Sequence, residues 1–156
     1  MYNRYVMSEI IYRNAEVRDA LQMQELNLRT LPENYPLSLW TEILSMMSSF
    51  IFVAVHNDVI IGYSAGIIQF SEEGVVGTIM SLAVDEDYRN KNVGNTCLQK
   101  SLVALSDTTI NKITLCVRES NLVAQHIYQK NGFEMSHVID DYYDAPKERG
   151  LFMVLE

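Results

Sequence analysis

Ser81-Leu-Ala-Val-Asp-Glu-Asp-Tyr-Arg-Asn-Lys-Asn-Val-Gly-Asn-Thr96, followed by Cys97-Leu-Gln-Lys-Ser-Leu102, is the stretch whose reading decides the fold. It runs from an apolar strand through a short polar loop, rich in backbone amides, into the start of a helix. Arg89 and Lys91 lie in that loop, on a chain whose formal net charge is −8. Unpaired amides at a helix N-terminus point the same way as the positive end of the helix dipole, so two cations beside them make an anion site. An acidic chain that builds such a cradle locally is suited to a small phosphorylated cofactor, not to a nucleic acid.

Working outward from this loop, Glu9–Arg13 reads as a short strand. Residues 16–29 read as a helix that presents Val17, Leu21 and Leu28 on one face. Thr30-Leu-Pro-Glu-Asn-Tyr-Pro36 ends it, because proline disfavours helix at and just before itself. A second helix is expected over Ser38–Met47. Phe50–His56 and Val59–Ile68 form a hairpin joined at Asn57-Asp58, and Val75–Val84 is the next strand. Cys97, Leu98, Leu102 and Leu105 place a helix over 94–106. Ile113–Val117 is a strand, and Asn121 caps a helix that Asn131-Gly132 stops. Phe133–Ile139 and Leu151–Leu155 close the list as strands. The fold class is therefore mixed α/β, one layer of sheet with helices packed on it.

Length and composition are those of a single globular domain: 156 residues, 48% hydrophobic and 21% charged. Residues 1–8 read as an N-terminal extension, with Met7 as an alternative start, and 9–156 as one domain. No apolar run reaches the roughly 18–20 residues of a membrane span, and no signal peptide is evident. Cys97 and Cys116 read as reduced core thiols of a cytoplasmic protein. His56, His126 and His137 are scattered, His126 reading as a packing or hydrogen-bonded histidine and not a catalyst, and no spacing suggests a metal.

The element order and the loop resemble the GNAT superfamily of acetyl-CoA-dependent N-acetyltransferases, over essentially the whole chain from residue 9. The superfamily's loop has the form Arg/Gln-x-x-Gly-x-Gly/Ala. Arg89-Asn-Lys-Asn-Val-Gly94 matches its first and last positions and replaces the middle glycine by Asn92. Asparagine is the non-glycine residue most tolerant of positive φ, so the turn is expected to survive. Three further stretches carry the likeness. Ser81-Leu-Ala-Val84 is similar to the pantetheine-binding strand, Val117-Arg-Glu-Ser-Asn121 to the second signature, and Tyr128-Gln-Lys-Asn-Gly-Phe133 to the Tyr-x-x-x-Gly-Phe helix end. Within the superfamily, Leu31–Tyr35 and Asp141-Tyr-Tyr143 resemble protein N-terminal acetyltransferases, of the ribosomal-protein alanine acetyltransferase and NatA catalytic-subunit type.

This resemblance implies a mostly antiparallel sheet of six to seven strands with about four helices. It implies attack of a neutral amine on the thioester of acetyl-CoA, and it implies site residues. Leu82, Ala83 and Val84 would line the pantetheine arm, with the Leu82 amide facing the thioester carbonyl. Arg89 and the amides of Asn90, Lys91, Asn92, Val93, Gly94 and Asn95 would hold the pyrophosphate. Asn121 would touch the cofactor or orient a water, and the Tyr128 hydroxyl would be the general acid. Leu31, Glu33, Tyr35, Tyr142 and Tyr143 would clamp a peptide, with an auxiliary subunit as a further partner.

The chain departs from the pattern at the general base. Related enzymes carry Tyr or His where this chain has Thr78, and His where it has Cys116, so Glu33 is the expected substitute, directly or through a water. An α-ammonium of pKa about 8 is freed at pH 7 for about 1 kcal/mol, whereas a lysine near 10.4 requires about 4–5 kcal/mol. A modest base therefore favours N-terminal amines. Two alternatives stay open at this point: a small-molecule amine as acceptor, and a CoA-binding module without catalysis.

Overall fold

The computed structural model describes residues 8–72 and 74–156. The expected extension and the alternative start at Met7 lie outside the described residues, apart from Ser8. That residue is tied down, its hydroxyl donating to Asn57 Oδ1 at 2.6 Å.

The chain runs β1 (Ile11–Asn14), α1 (Ala20–Thr30), α2 (Leu37–Met47), β2 (Ile51–His56), β3 (Val59–Ser71), β4 (Gly74–Val84), α3 (Val93–Ser106), β5 (Ile113–Arg118), α4 (Leu122–Lys130), β6 (Glu134–Asp144) and β7 (Lys147–Leu155). Single 3₁₀ turns at Val17–Asp19, Ser48–Phe50 and Glu86–Tyr88 punctuate it. Seven strands form one sheet in the order β1-β2-β3-β4-β5-β7-β6. Every pairing is antiparallel except β4 with β5. This is the mixed α/β layer that the element order implied, and the mostly antiparallel sheet with four helices that the resemblance implied.

Helices cover both faces. On one, Met23 and Leu26 of α1 and Trp40 and Leu44 of α2 pack against Val53, Ile60 and Tyr63. On the other, Leu98, Leu102 and Leu105 of α3 and Tyr128 of α4 pack against Ile79, Leu115, Val117 and Met153. Complete burial of side chains such as Met23, Leu26 and Leu98 contributes about 1.5–3 kcal/mol each.

The exposed and buried faces of α1 are the reverse of the expected ones. Val17, Leu21 and Leu28 are 46%, 53% and 56% exposed, while Ala20, Met23, Leu26 and Asn27 are buried. The inward stripe includes a polar residue because Asn27 is fully bonded. Its amide donates to the Glu33 carbonyl (2.9 Å) and to the Tyr63 hydroxyl (3.2 Å), and it accepts from the Tyr35 amide (3.2 Å). A buried side chain with its hydrogen bonds made packs like an apolar one, and here it also fixes the course of residues 33–35.

Two irregularities of the sheet create a cleft. Parallel pairing of β4 with β5 is limited to Gly77 with Ile113 and Thr78 with Thr114. Two residues further on, β4 bulges: Ala65 faces Ser81 but Gly66 faces Ile79, leaving Met80 as the extra residue. A bulge increases local twist and turns the strand, so β4 and β5 part and both expose backbone toward the gap.

The last two strands are longer than expected, and they carry Tyr142 and Tyr143 inside β6, not in a loop. Between the pairs Ile139–Gly150 and Tyr143–Glu148, β6 carries Asp140, Asp141 and Tyr142 against Arg149 alone. Asp141 has φ 54°, the local signature of this second bulge.

Candidate active site

Two cavities open into the β4–β5 gap from opposite sides. The first is a groove of about 840 Å³ between the end of β4, the start of α3 and the start of α4. It is lined by Leu82, Ala83 and Val84, by Arg89, Asn90, Asn92, Val93, Gly94 and Asn95, and across from them by Asn121, His126 and Lys130. The loop runs with Asn90 and Asn92 both in the left-handed region, at φ 61° and 63°. Asn92 thus adopts at the helix N-cap the conformation that glycine would supply. The first α3 amide in a helical bond is that of Thr96, donating to the Asn92 carbonyl at 3.0 Å. The amides before it are those that a helix N-terminus leaves without intrahelical partners. Gly94 brings this turn close to the sheet, since a Cβ there would stand 3.1 Å from Val84 Cγ2.

The second cavity, about 680 Å³, lies between the α1–α2 connection and the β6–β7 hairpin. Leu31, Glu33 and Tyr35 form one wall and Tyr142 and Tyr143 the other, with Met80, Thr78, Cys116 and Arg118 between them. Tyr35 donates to the bulged Met80 carbonyl at 3.2 Å and meets Trp40 edge-on, ring centroids 5.7 Å apart. Tyr142 and Tyr143 are T-shaped at 4.8 Å. The two cavities share Leu31, Leu82, Asn121 and Ala124, and therefore meet at the gap.

Tyr128 lines the second cavity close to that junction, 7% exposed and edge-on to Phe133 at 5.8 Å. Burial raises its pKa, so its hydroxyl keeps its proton at neutral pH. Asn121 Oδ1 accepts from the Ala124 amide at 3.1 Å, and this N-cap places the residue at the junction.

Arg118 organises the second cavity, a residue that sequence reasoning left without a role. It ends β5 with 8% exposure. Its Nε and Nη2 lie 2.8 and 2.6 Å from Glu33 Oε1, and its Nη1 donates to the Pro146 carbonyl at 2.8 Å. Nη2 donates to the Ala145 carbonyl at 3.3 Å, and the guanidinium stacks on Tyr143, 4.3 Å from the ring centre. One buried cation thus ties the α1–α2 connection to the β6–β7 hairpin. The available signal was a charge at the end of an apolar strand.

Glu33 is accordingly not a free carboxylate: Arg118 holds its Oε1 through both contacts, which leaves the other oxygen outside the pair. Cys116 is not the core thiol expected: it is half-buried in the second cavity, with the Tyr142 and Tyr143 hydroxyls against its sulfur. Burial raises its pKa despite those donors, which disfavours the thiolate. Cys97 is buried, its thiol pushed up to about 12. Thr78 donates to Gln69 Oε1 at 3.0 Å and pairs with the Thr114 hydroxyl at 3.3 Å, forming a polar end to the cavity. His126 is an exposed lining residue of the first groove, not a packing histidine.

Residues 20–133 match the model of the Acetyltransferase (GNAT) family. The protein belongs to that family. This GNAT enzyme is 33% identical over 140 residues to an N-alpha-acetyltransferase of Saccharolobus solfataricus, covering 84% of each chain. Its fold is shared by a chain of the NatC complex bound to Gag peptide and CoA, with TM-score 0.88, 20% identity and coverage of 94% of this chain and 98% of that one. It is shared as well by Arabidopsis thaliana Naa50 in complex with the bisubstrate analogue CoA-Ac-MVNAL, with TM-score 0.83, 24% identity and the same coverage.

The GNAT enzyme uses acetyl-CoA, and its first groove has the donor set for that molecule. Free amides and two cations suit a pyrophosphate, while the parted edge of β4 offers N–H and C=O groups to an extended amide chain.

Proposed function

We propose that this GNAT enzyme transfers acetyl from acetyl-CoA to the N-terminal α-amine of proteins or peptides, by direct attack within a ternary complex. The observation that carries the reading is the meeting of two grooves at the β4–β5 gap, one amide-lined and basic, the other walled by tyrosines and open toward exposed Gln69 and Tyr142. An open-ended cleft accepts the start of a chain, whereas a small amine needs a closed pocket. The similarity to proteins named as N-alpha-acetyltransferases supports the same acceptor.

Acetyl-CoA, when bound, supplies the activated acyl carbon. In this reading Arg89 and the amides of Asn90, Lys91, Asn92, Val93, Gly94 and Asn95 hold its pyrophosphate, and Leu82, Ala83 and Val84 align its amide arm. The Leu82 amide donates to the carbonyl oxygen where negative charge develops. Tyr128, held protonated by burial, donates to the departing sulfur. Asn121 contacts the donor at the junction. Glu33, with Oε1 held by Arg118, takes the ammonium proton through its other oxygen or a water. Leu31, Tyr35, Tyr142 and Tyr143 position the peptide backbone. The enzyme works in the cytoplasm, in keeping with its two unpaired cysteines, and an auxiliary subunit is its further partner, a reading supported by likeness to a NatC-complex chain.

The test pairs two peptides in the presence of acetyl-CoA, one with a free α-amine and blocked lysines, the other with a blocked α-amine and free lysines. Acetylation of the first by mass spectrometry is expected. Faster reaction of the second, or of free polyamines, would overturn the acceptor assignment.

A further inference from the structure

A four-residue hydrogen-bond relay stands behind the Arg89–Asn92 loop and reaches the groove only through Tyr88. His56, at the end of β2, places Nδ1 2.6 Å from the Tyr88 hydroxyl and Nε2 2.9 Å from Ser8 Oγ. Ser8 Oγ donates to Asn57 Oδ1 at 2.6 Å. A hydroxyl has one hydrogen, and that of Ser8 is committed to Asn57, so Ser8 accepts from His56. In the neutral imidazole His56 then carries its hydrogen on Nε2, and Nδ1 accepts from Tyr88. The direction of every bond in the relay follows.

Tyr88 is the residue through which this order reaches the groove. It ends the 3₁₀ turn Glu86–Tyr88, immediately before Arg89, and lines the donor groove. Its ring meets the His56 imidazole edge-on at 5.4 Å and carries the Lys91 ammonium over its face, also at 5.4 Å. It packs on the small cluster of Ala54, Ile61, Val93 and Cys97. The loop beyond it, Arg89 to Asn92, is exposed throughout and turns at two left-handed asparagines. Tyr88 is thus the inward anchor of a segment that otherwise faces water.

We propose that His56 is a positioning residue for the donor: acting through the Tyr88 hydroxyl, it fixes the Arg89–Asn92 cradle and the Lys91 ammonium, and so sets CoA affinity without touching CoA. The proposal rests on reading the groove beside α3 as the CoA site.

Calorimetry with the full chain and free CoA tests it, with steady-state kinetics on the His56 variants. One hydrogen bond of this kind corresponds to about a 3–10-fold change in affinity. His56→Ala and Tyr88→Phe are each expected to weaken CoA binding by about that factor, and the double variant no further than either single one. His56→Asn keeps an acceptor for Tyr88 in a smaller side chain and is expected to stay within about 2-fold of the parent. Turnover at saturating acetyl-CoA and peptide KM are expected to be unchanged in the His56 variants. Tyr88→Phe keeps ring and packing, so it tests the bond even where His56→Ala folds poorly.

Equal CoA affinity in parent and Tyr88→Phe would overturn the relay, as would additive losses or an Asn variant as weak as the Ala variant, which is the mark of packing alone. A parent protein that does not bind CoA would overturn the groove assignment itself, a separable result.

Discussion

In the groove proposed for the donor, the polar groups are mostly backbone: the opened edge of β4 and the amides where α3 begins. In the cavity proposed for the acceptor they are side chains from the α1–α2 connection, β4, β5 and the β6–β7 hairpin, drawn together by Arg118. A backbone site is inherited with the fold, so side-chain changes tune it weakly. A side-chain site is an assembly whose keystone can be removed, and so it is where specificity can change while the donor stays the same.

The largest effect is expected at the keystone. Arg118→Met leaves Glu33, Glu148 and two carbonyls without their partner; because Glu33 is a third exposed, the cost lies at the low end of that for breaking a buried ion pair, about 3 kcal/mol. Peptide kcat/KM should fall by about 10²–10³-fold while CoA affinity stays within about 2-fold. A parallel loss of CoA affinity would show that the two regions are not independent. Next comes Tyr128→Phe, which should lower kcat about 10²-fold with CoA affinity unchanged; full turnover would remove Tyr128 from proton transfer.

A smaller, purely acceptor-side effect is expected at Gly150. A Cβ there would lie 2.5 Å from Cys116 Sγ and 3.0 Å from the Tyr142 ring. Gly150→Ala should raise peptide KM about 10-fold by pushing Tyr142 outward, and adding Cys116→Ala should restore most of it, a coupling of contacting residues. The smallest effect is expected on the donor side. Asn92→Gly keeps φ 63° accessible, so CoA affinity should change by no more than about 3-fold, because asparagine already tolerates that region. A 10-fold gain would mean that the Asn92 side chain obstructs the phosphates.

The same contrast explains what could be read in advance. The strand–loop–helix around Arg89 was legible because its determinants are contiguous: strand, amide-rich loop and helix start lie within residues 81–102. Seven strands and four helices followed from periodicity and turn residues. The inward face of α1 was misread because Asn27 is buried on the strength of bonds to Glu33, Tyr63 and Tyr35, partners distant in sequence or fixed only by the fold. Tyr142 and Tyr143 were placed in a loop because the bulge that carries them is polar and acidic. The Arg118 assembly, with the Met80 bulge beside it, depends on long-range register that no local pattern encodes.

The central claim is that the two grooves meet and are filled together. A conjugate of CoA joined through an acetyl linker to the α-nitrogen of a short peptide measures this directly. The account predicts that calorimetry will find it bound at least about 100-fold more tightly than CoA or the peptide alone, because the second half binds at high effective concentration. Arg118→Met should erase most of that gain and leave the CoA contribution intact. Binding no tighter than that of CoA itself would contradict the account.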